Sequence, residues 1–227
     1  MSTRVPLEQK VLSENEKAAA ALRERFRRAG TLCLNLIGSP GCGKTLLLER
    51  TLADFPRDRR AAVLTGDIQT DEDARRLSRY GFPAKQITTA GACHLDASMV
   101  ARSLLNWDVG SPDVLFIENV GNLVCPTSYD LGEHAKVVVL SAAEGDEKPL
   151  KYPGIFYKSE LMVLTKVDLL PYVLFDRERA IANAQSVNPA IEVIEVSSTT
   201  GEGVPQWLSW VASRSGRLGA TAGASSM

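Results

Sequence analysis

The amino-acid sequence predicts an α/β fold in which a mostly parallel sheet carries helices on both of its faces. Short apolar runs that suit buried strands alternate along the chain with longer stretches of helical pattern. This alternation is typical of parallel sheets, which are covered on both sides. The sequence shows neither an internal repeat nor an obvious linker, so we predict a single α/β domain.

The first element is a helix over residues 6–29, which are rich in Ala, Leu, Glu, Lys and Arg and are followed by Gly30, a residue that suits a helix C-cap. The predicted strands are 31–37, 61–66, 113–117, 136–143, 161–165 and 191–196, and the further predicted helices are 43–55, 70–80, 94–107, 177–187 and 204–214. The final stretch, GRLGATAGASSM, lacks apolar periodicity. We therefore predict an N-terminal helix (1–30), the α/β domain (31–214) and a disordered tail (215–227).

Composition excludes several classes of function. The formal net charge of −1 disfavours binding to nucleic acid or to anionic lipid. No apolar stretch approaches the roughly 20 residues that span a bilayer, and the first residues lack the apolar run of a secretory signal. The four cysteines form no CxxC pair, which is typical of reduced thiols. We expect a cytoplasmic protein without nucleic-acid or membrane partners.

The strongest motif is GSPGCGKT at residues 38–45, which matches the phosphate-loop pattern G-x-x-x-x-G-K-[ST]. It follows a predicted strand and begins a predicted helix, and this context disfavours the alternative of a glycine turn with a surface lysine. Lys44 would reach the β- and γ-phosphates, and the Thr45 hydroxyl would bind Mg²⁺. The predicted phosphate-binding residues are Gly38, Gly41, Cys42, Gly43, Lys44 and Thr45.

Two acidic residues at strand ends could complete a magnesium site. Asp67 follows the strand AAVLTG, and Glu118 follows DVLFI. Ligands gather at the carboxyl ends of strands in sheets of this kind, and a carboxylate there can bind Mg²⁺ directly or through water. The alternative is that each acid is a solvated loop residue. Gly121, in the same ENVGN segment as Glu118, could offer its backbone N–H to the γ-phosphate.

The segment TKVD at residues 165–168 predicts which base is bound. Guanine presents two neighbouring donors that one carboxylate accepts, and adenine does not, so Asp168 would select GTP over ATP. The stem of Lys166 can lie along the base. The usual guanine motif is NKxD, and Thr165 replaces its asparagine. Ser197 and Ser198, in EVSSTTGEG, are candidates for a second base-contacting loop.

Cys93 and His94 are adjacent in a chain that has only two histidines. With Cys125 they would offer two thiolates and an imidazole, a ligand set that suits Ni²⁺ or Zn²⁺ better than Mg²⁺. Three ligands leave a tetrahedral site open to water or to a second chain. On spacing alone the alternative remains open that Cys93 is a small buried hydrophobe and His94 a helix-start residue.

Six stretches together resemble the HypB family of hydrogenase nickel-incorporation GTPases: NLIGSPGCGKT, GDIQTDEDA, CHLDASMV, ENVGNLVCP, DLGEHAKVVVLSAAEGDEKPLKYP and TKVDLLPY. The similarity covers residues from about 10 to about 212. It implies a SIMIBI-type P-loop GTPase that binds GTP or GDP with Mg²⁺ and forms a homodimer in the GTP state. It also implies an interface metal site at Cys93, His94 and Cys125, and nickel delivery to the [NiFe]-hydrogenase large subunit with a partner nickel chaperone.

The chain departs from that family at three points, and three other functions compete. It carries no N-terminal CxxCGC motif or His-rich tract, and Cys42 and Thr165 are less usual choices. One alternative is an ATP-using P-loop enzyme such as a small-molecule kinase, which TKVD disfavours. The others are a urease-type accessory GTPase, whose metal motif would be Cys-Pro-His, and a nucleotide-binding metal-storage or scaffold protein, which two histidines disfavour. Because ENVGN lacks a water-positioning glutamine, we expect slow turnover that a second subunit completes, with Lys148 as a candidate.

Overall fold

The structure is a computed structural model that describes residues 4–67, 71–89, 91–105 and 107–223. Its centre is one seven-stranded sheet in the order β3-β2-β4-β1-β5-β6-β7. The strands are β1 (Leu32–Gly38), β2 (Ala61–Asp67), β3 (Ala84–Thr88), β4 (Val114–Glu118), β5 (Ala135–Ser141), β6 (Leu161–Thr165) and β7 (Glu192–Val196). All six pairings between neighbouring strands are parallel, which confirms the predicted fold class.

Eight α-helices surround the sheet in the described part of the chain. They are α1 (Arg4–Ala29), α2 (Lys44–Ala53), α3 (Glu72–Ser78), α4 (Ala97–Leu105), α5 (Lys148–Lys151), α6 (Pro153–Lys158), α7 (Arg177–Val187) and α8 (Val204–Gly223). Two 3₁₀ turns, Cys125–Ser128 and Val167–Tyr172, follow β4 and β6. None of the described helices is long and apolar enough to cross a membrane.

The helices cover both faces because side chains along each strand point alternately to opposite sides. Leu34 and Leu36 of β1 pack into a core with α2, α3 and α8, where the indole of Trp207 is fully buried. Cys33 of β1 faces the other side and packs with α1 and α4. Farther along the same side, Ile37 packs with α6 and α7. Every residue of β1 is therefore buried, as a two-faced sheet requires.

The N-terminal helix belongs to the domain core. Ala19, Leu22 and Phe26 of α1 are buried against α4 and the sheet. Arg23 of α1 forms an ion pair with Asp130 at 2.5 Å, and this surface pair contributes less than the apolar contacts. The helix predicted for residues 1–30 thus packs on the α/β domain and shares its core.

The structure differs from the sequence prediction at four elements. Strand β3 was not predicted, since AKQIT lies at the sheet edge and is only partly buried. Helices α5 and α6 were also missed, because each begins at or next to a proline. Helix α8 continues to Gly223, so residues 215–223 are helical where a disordered tail was predicted. Extending an existing helix costs less than starting one; residues 224–227 lie outside the described chain.

Candidate nucleotide and metal site

The phosphate loop connects the end of β1 to the start of α2, as the motif predicts. Gly41 and Gly43 have φ angles of +74° and +96°, in the left-handed region that favours glycine. At Gly38 the requirement is space, because a Cβ would lie 2.5 Å from the Cys42 sulfur and 2.6 Å from the Val139 carbonyl oxygen. Larger residues at these positions would distort the loop.

Lys44 and Thr45 begin α2 and point toward the loop and the sheet. The Lys44 side chain is buried, and its ammonium donates to the carbonyl oxygens of Gly38 at 3.2 Å and Ser39 at 3.4 Å. A phosphate in the loop would therefore meet a positive charge already held there. The Thr45 hydroxyl donates to Oε1 of Glu118 at 2.7 Å, which joins the loop to the end of β4.

Glu118 is a buried carboxyl group with one oxygen that lacks a partner. Its Oε1 accepts from Thr45, while Oε2 has no hydrogen-bond partner. Burial raises the pKa of Glu118 to about 7, although the nearby Lys44 charge lowers it. A buried carboxylate oxygen and a hydroxyl, both hard donors, suit Mg²⁺. The residues present therefore fit a magnesium ion at this position.

A cavity of about 500 Å³ opens beside the loop. The predicted nucleotide-site residues that line it are Gly41, Gly43, Lys44, Thr45, Asp67, Glu118, Gly121 and Lys166. Gly38 and Cys42 are buried within or behind the loop and do not line it. Asp73 and Arg76 of α3 also line the cavity, although no sequence motif marks Arg76 as functional.

Of the predicted base-binding residues, Lys166 lines that cavity, whereas Asp168, Ser197 and Ser198 lie at the same edge of the sheet outside it. Asp168 lies in the 3₁₀ turn after β6, and Ser197 and Ser198 follow β7, the strand paired with β6. Lys166 has a φ of +59° and donates to the Gly41 carbonyl oxygen at 2.7 Å. Ser197 is buried, and its hydroxyl accepts from the backbone N–H of Thr200 at 3.1 Å. Asp168 and Ser198 are half-exposed.

Thr165 connects the predicted base loop to the phosphate loop. Its buried hydroxyl donates to the carbonyl oxygen of Cys42 at 2.6 Å. In the sequence, Thr165 is recognisable only as the loss of an amide from the NKxD pattern. A hydroxyl at this position can make the contact because β6 and the phosphate loop meet in space, which sequence spacing does not reveal.

Cys93, His94 and Cys125 come together in the structure. One potential ligand atom from each lies within 4.8 Å of the others. Cys93 and His94 lie in the loop between β3 and α4, and Cys125 begins the 3₁₀ turn after β4. A hydrogen bond with the Cys125 thiol, together with burial, raises the pKa of Cys93. Burial lowers the pKa of His94, which favours the neutral imidazole that can bind a metal.

Tyr129 holds the His94 ring against the end of the same 3₁₀ turn. The two rings are stacked with centroids 3.8 Å apart and an interplanar angle of 30°. Tyr129 could not be identified from the sequence, since an aromatic residue in a loop carries no metal signal of its own. The stacking contact links the segment of Cys125 to the loop that carries the other two residues.

His134, Cys33 and Lys148 each contact other residues of their own chain. Nδ1 of His134 accepts from the backbone N–H of Cys33 at 3.0 Å, and His134 is half-buried. Cys33 is fully buried. The Lys148 ammonium donates to the Ser39 hydroxyl at 2.7 Å and pairs with Glu144. It therefore already lies beside the phosphate loop of its own subunit.

A parallel sheet with a glycine-rich loop between its first strand and the following helix defines a P-loop nucleotide-binding protein. The family model described as "CobW/HypB/UreG, nucleotide-binding domain" matches residues 32–195. The hydrogenase maturation factor HypB of Azotobacter vinelandii is 52% identical over 205 residues, which are 90% of this chain and 68% of that protein. The chain belongs to the HypB family of hydrogenase maturation factors, and it is a GTPase.

Solved structures agree with this assignment. The crystal structure of HypB from Helicobacter pylori in complex with nickel has a TM-score of 0.84 and 39% identity, covering 90% of this chain and 96% of that one. The signal recognition particle receptor FtsY from Elizabethkingia anophelis has a TM-score of 0.53 and 15% identity, covering 78% of this chain and 65% of that one, and shares the fold alone. The predicted family and fold class are both confirmed.

Proposed function

We propose that this protein uses GTP binding and hydrolysis to control a nickel cargo at Cys93, His94 and Cys125. The observation that carries the proposal is the short segment from Glu118 to Cys125. Glu118 lines the cavity beside the phosphate loop, and Cys125 belongs to the thiol–imidazole cluster. A change in the nucleotide at one end of this segment can therefore shift Cys125 at the other end.

Hydrolysis at this site would depend on positioning and on neutralisation of charge. Lys44 and the backbone N–H groups of the loop would hold the β- and γ-phosphates, and Asp168 would accept the two donors of guanine. Mg²⁺, when bound, would neutralise part of the phosphate charge, with Thr45, Glu118 and Asp67 as its protein-side ligands or water-holding groups. Gly121 would donate its N–H toward the γ-phosphate.

The nickel site would be open within one subunit. Two sulfur ligands and one imidazole favour Ni²⁺ or Zn²⁺, and three ligands leave at least one position for water or for a second chain. We propose that a homodimer formed with GTP brings two such sets together about a two-fold axis. An open or shared site suits a cargo that must later be released.

The names of the relatives support a proposal for the receiving partner. The relatives are hydrogenase maturation factors, and one solved relative is a nickel complex. We therefore propose that the nickel goes to a [NiFe]-hydrogenase large subunit with the help of a nickel chaperone. Slow GTP hydrolysis would suit a protein in which hydrolysis sets the time of nickel release. We propose that Lys148, which contacts Ser39 of the phosphate loop, assists hydrolysis.

A phosphate-release assay with GTP and ATP tests the base assignment and the phosphate site together. We expect strong preference of the wild type for GTP, no detectable turnover in Lys44→Ala, and a GTP preference reduced about tenfold or more in Asp168→Asn, because a charge-assisted hydrogen bond is worth about 1.5–3 kcal/mol. Lys151→Ala, which changes an exposed lysine of α5, is the control. Equal use of ATP and GTP by the wild type would contradict the assignment.

A further inference from the structure

Two buried asparagines hold the segment CHLDA, residues 93–97, in place. Oδ1 of Asn119 accepts from the backbone N–H of Leu95 at 3.1 Å, and Oδ1 of Asn15 accepts from the backbone N–H of Ala97 at 2.8 Å. Asn119 is 1% exposed and Asn15 is 6% exposed. The two contacts are chemically alike, but Asn15 belongs to α1 whereas Asn119 belongs to the segment that lines the nucleotide cavity.

The orientation of the Asn119 amide is fixed by a chain of hydrogen bonds that ends on a carboxylate. The Glu133 carboxylate, paired with Lys136, can only accept, so Asn35 must turn its Nδ2 toward it at 3.2 Å. Oδ1 of Asn35 then accepts from Nδ2 of Asn119 at 3.2 Å. Oδ1 of Asn119 is thereby left facing Leu95, and it also accepts from the N–H of Val120 at 3.0 Å. The contact with Leu95 is therefore directional.

Asn119 lies between two groups that face the nucleotide cavity. Glu118, immediately before it, accepts the hydroxyl hydrogen bond of Thr45. Gly121, two residues after it, has no room for a side chain, because a Cβ would lie 2.9 Å from Cγ and 3.0 Å from Cα of Pro40 in the phosphate loop. A shift of the backbone at Val120 and Gly121 toward a phosphate must therefore also move the amide oxygen that Leu95 contacts.

We propose that Asn119 is the positioning residue through which the nucleotide state reaches the metal-binding loop. Leu95 follows His94 directly, so a change at its N–H repositions His94 and Cys93 relative to Cys125. Asn15 fixes the far end of the same segment to α1, and thus provides a stationary point about which the loop can turn. The proposal rests on the proposed function, since it names the route of a coupling that the function requires.

The test compares nickel affinity in the GDP state with that in the state bound to a non-hydrolysable GTP analogue. In the wild type the ratio of the two affinities measures the coupling, which is about 5- to 150-fold in typical allosteric proteins. In Asn119→Ala we expect this ratio to fall to within about twofold of one, while both nucleotides and nickel still bind. In Asn15→Ala, the matched control, we expect any loss of affinity to be equal in both states, so that the ratio is kept.

Hydrogen exchange at the Leu95 amide of the wild type is the second measurement, and it decides the matter if Asn119→Ala does not fold. We expect its protection to differ between the GDP and analogue states in metal-free protein. An unchanged ratio in folded Asn119→Ala, or the same protection of Leu95 in both states, would overturn the proposal. A wild-type ratio of one would instead refute the coupling in the proposed function itself.

Discussion

At the scale of single residues, Glu118 has the most distinctive electrostatic environment of the site. Burial raises its pKa from 4.5 to about 7, and one of its oxygens has no hydrogen-bond partner. Its carboxyl group therefore keeps a proton in the folded protein at pH values where the unfolded chain has released it. In the absence of Mg²⁺ and nucleotide, the ionised form is a source of instability.

The destabilising effect of ionised Glu118 should appear in the pH dependence of the free energy of unfolding. Because the folded pKa is raised, the folded state binds more protons than the unfolded chain between about pH 4.5 and pH 7, and stability falls as pH rises through that window. We expect the free energy of unfolding of wild type, relative to Glu118→Gln, to fall by about 3 kcal/mol from pH 4.5 to pH 8. Urea unfolding of metal-free, nucleotide-free protein measures this.

Glu178→Gln, which changes an exposed glutamate of α7, is the control for that measurement. The free energy of unfolding of this variant, relative to that of wild type, should change little with pH. If the difference in free energy of unfolding between wild type and Glu118→Gln were the same at pH 5 and pH 8, the pKa of Glu118 would not be raised in the folded protein.

Tyr129 supplies a second prediction at this scale. Its stacking on His94 should hold the imidazole in place for nickel, and aromatic pairs contribute about 0.5–1.5 kcal/mol beyond burial. We therefore expect Tyr129→Leu to weaken nickel binding up to about tenfold, and Tyr129→Phe to change it less than about twofold. Titration followed by thiolate-to-nickel absorption measures both. Equal losses in the two variants, or none in Tyr129→Leu, would show that stacking has no role; Tyr157→Leu, on α6, is the control.

At the scale of elements, helix α1 closely approaches the loop that precedes β5. Gly132 has a φ of +77°, and a Cβ there would lie 2.7 Å from the Ala19 carbonyl oxygen and 2.7 Å from Cβ of Leu22, both in α1. Gly30 has a similar φ of +65° but nothing within 4 Å. A comparison of substitutions at these two glycines therefore separates the effect of backbone strain from that of steric overlap.

We expect Gly132→Ala to lower the free energy of unfolding more than Gly30→Ala does. Each substitution carries a left-handed backbone cost of about 1–2 kcal/mol, and the overlap with α1 should add about 1–3 kcal/mol at Gly132 alone. Urea unfolding of the two variants and the wild type measures the difference. Equal destabilisation would mean that α1 can move aside without cost.

Elements with strong local signals could be predicted from the sequence, whereas those defined by tertiary packing could not. The phosphate loop and the buried strands β1, β4, β5 and β6 carry their signal in consecutive residues. Edge strand β3 and the proline-containing helices α5 and α6 do not. Likewise Cys93, His94 and Cys125 were found partly through a family resemblance, while the contacts of Tyr129 and Asn119 join segments distant in sequence. The roles of the site residues remain predictions.

At the scale of the whole molecule, the parallel sheet explains why two chemically different sites lie near each other. The carboxyl ends of parallel strands meet at one edge, and the segments after β1, β2, β4 and β6 contribute to the cavity of the phosphate loop. The segments after β3 and β4 carry the thiol–imidazole cluster. Because the segment after β4 takes part in both, coupling of the two sites requires no large domain movement.

The most direct test of this coupling is nickel titration of wild-type protein, with sedimentation in parallel, in GDP and in a non-hydrolysable GTP analogue. We predict a dimer with the analogue, a nickel affinity that differs at least about fivefold between the two states, and loss of the site in Cys93→Ala and Cys125→Ala. The same oligomeric state and the same nickel affinity with both nucleotides would contradict the account, and full nickel binding in both cysteine variants would contradict the site itself.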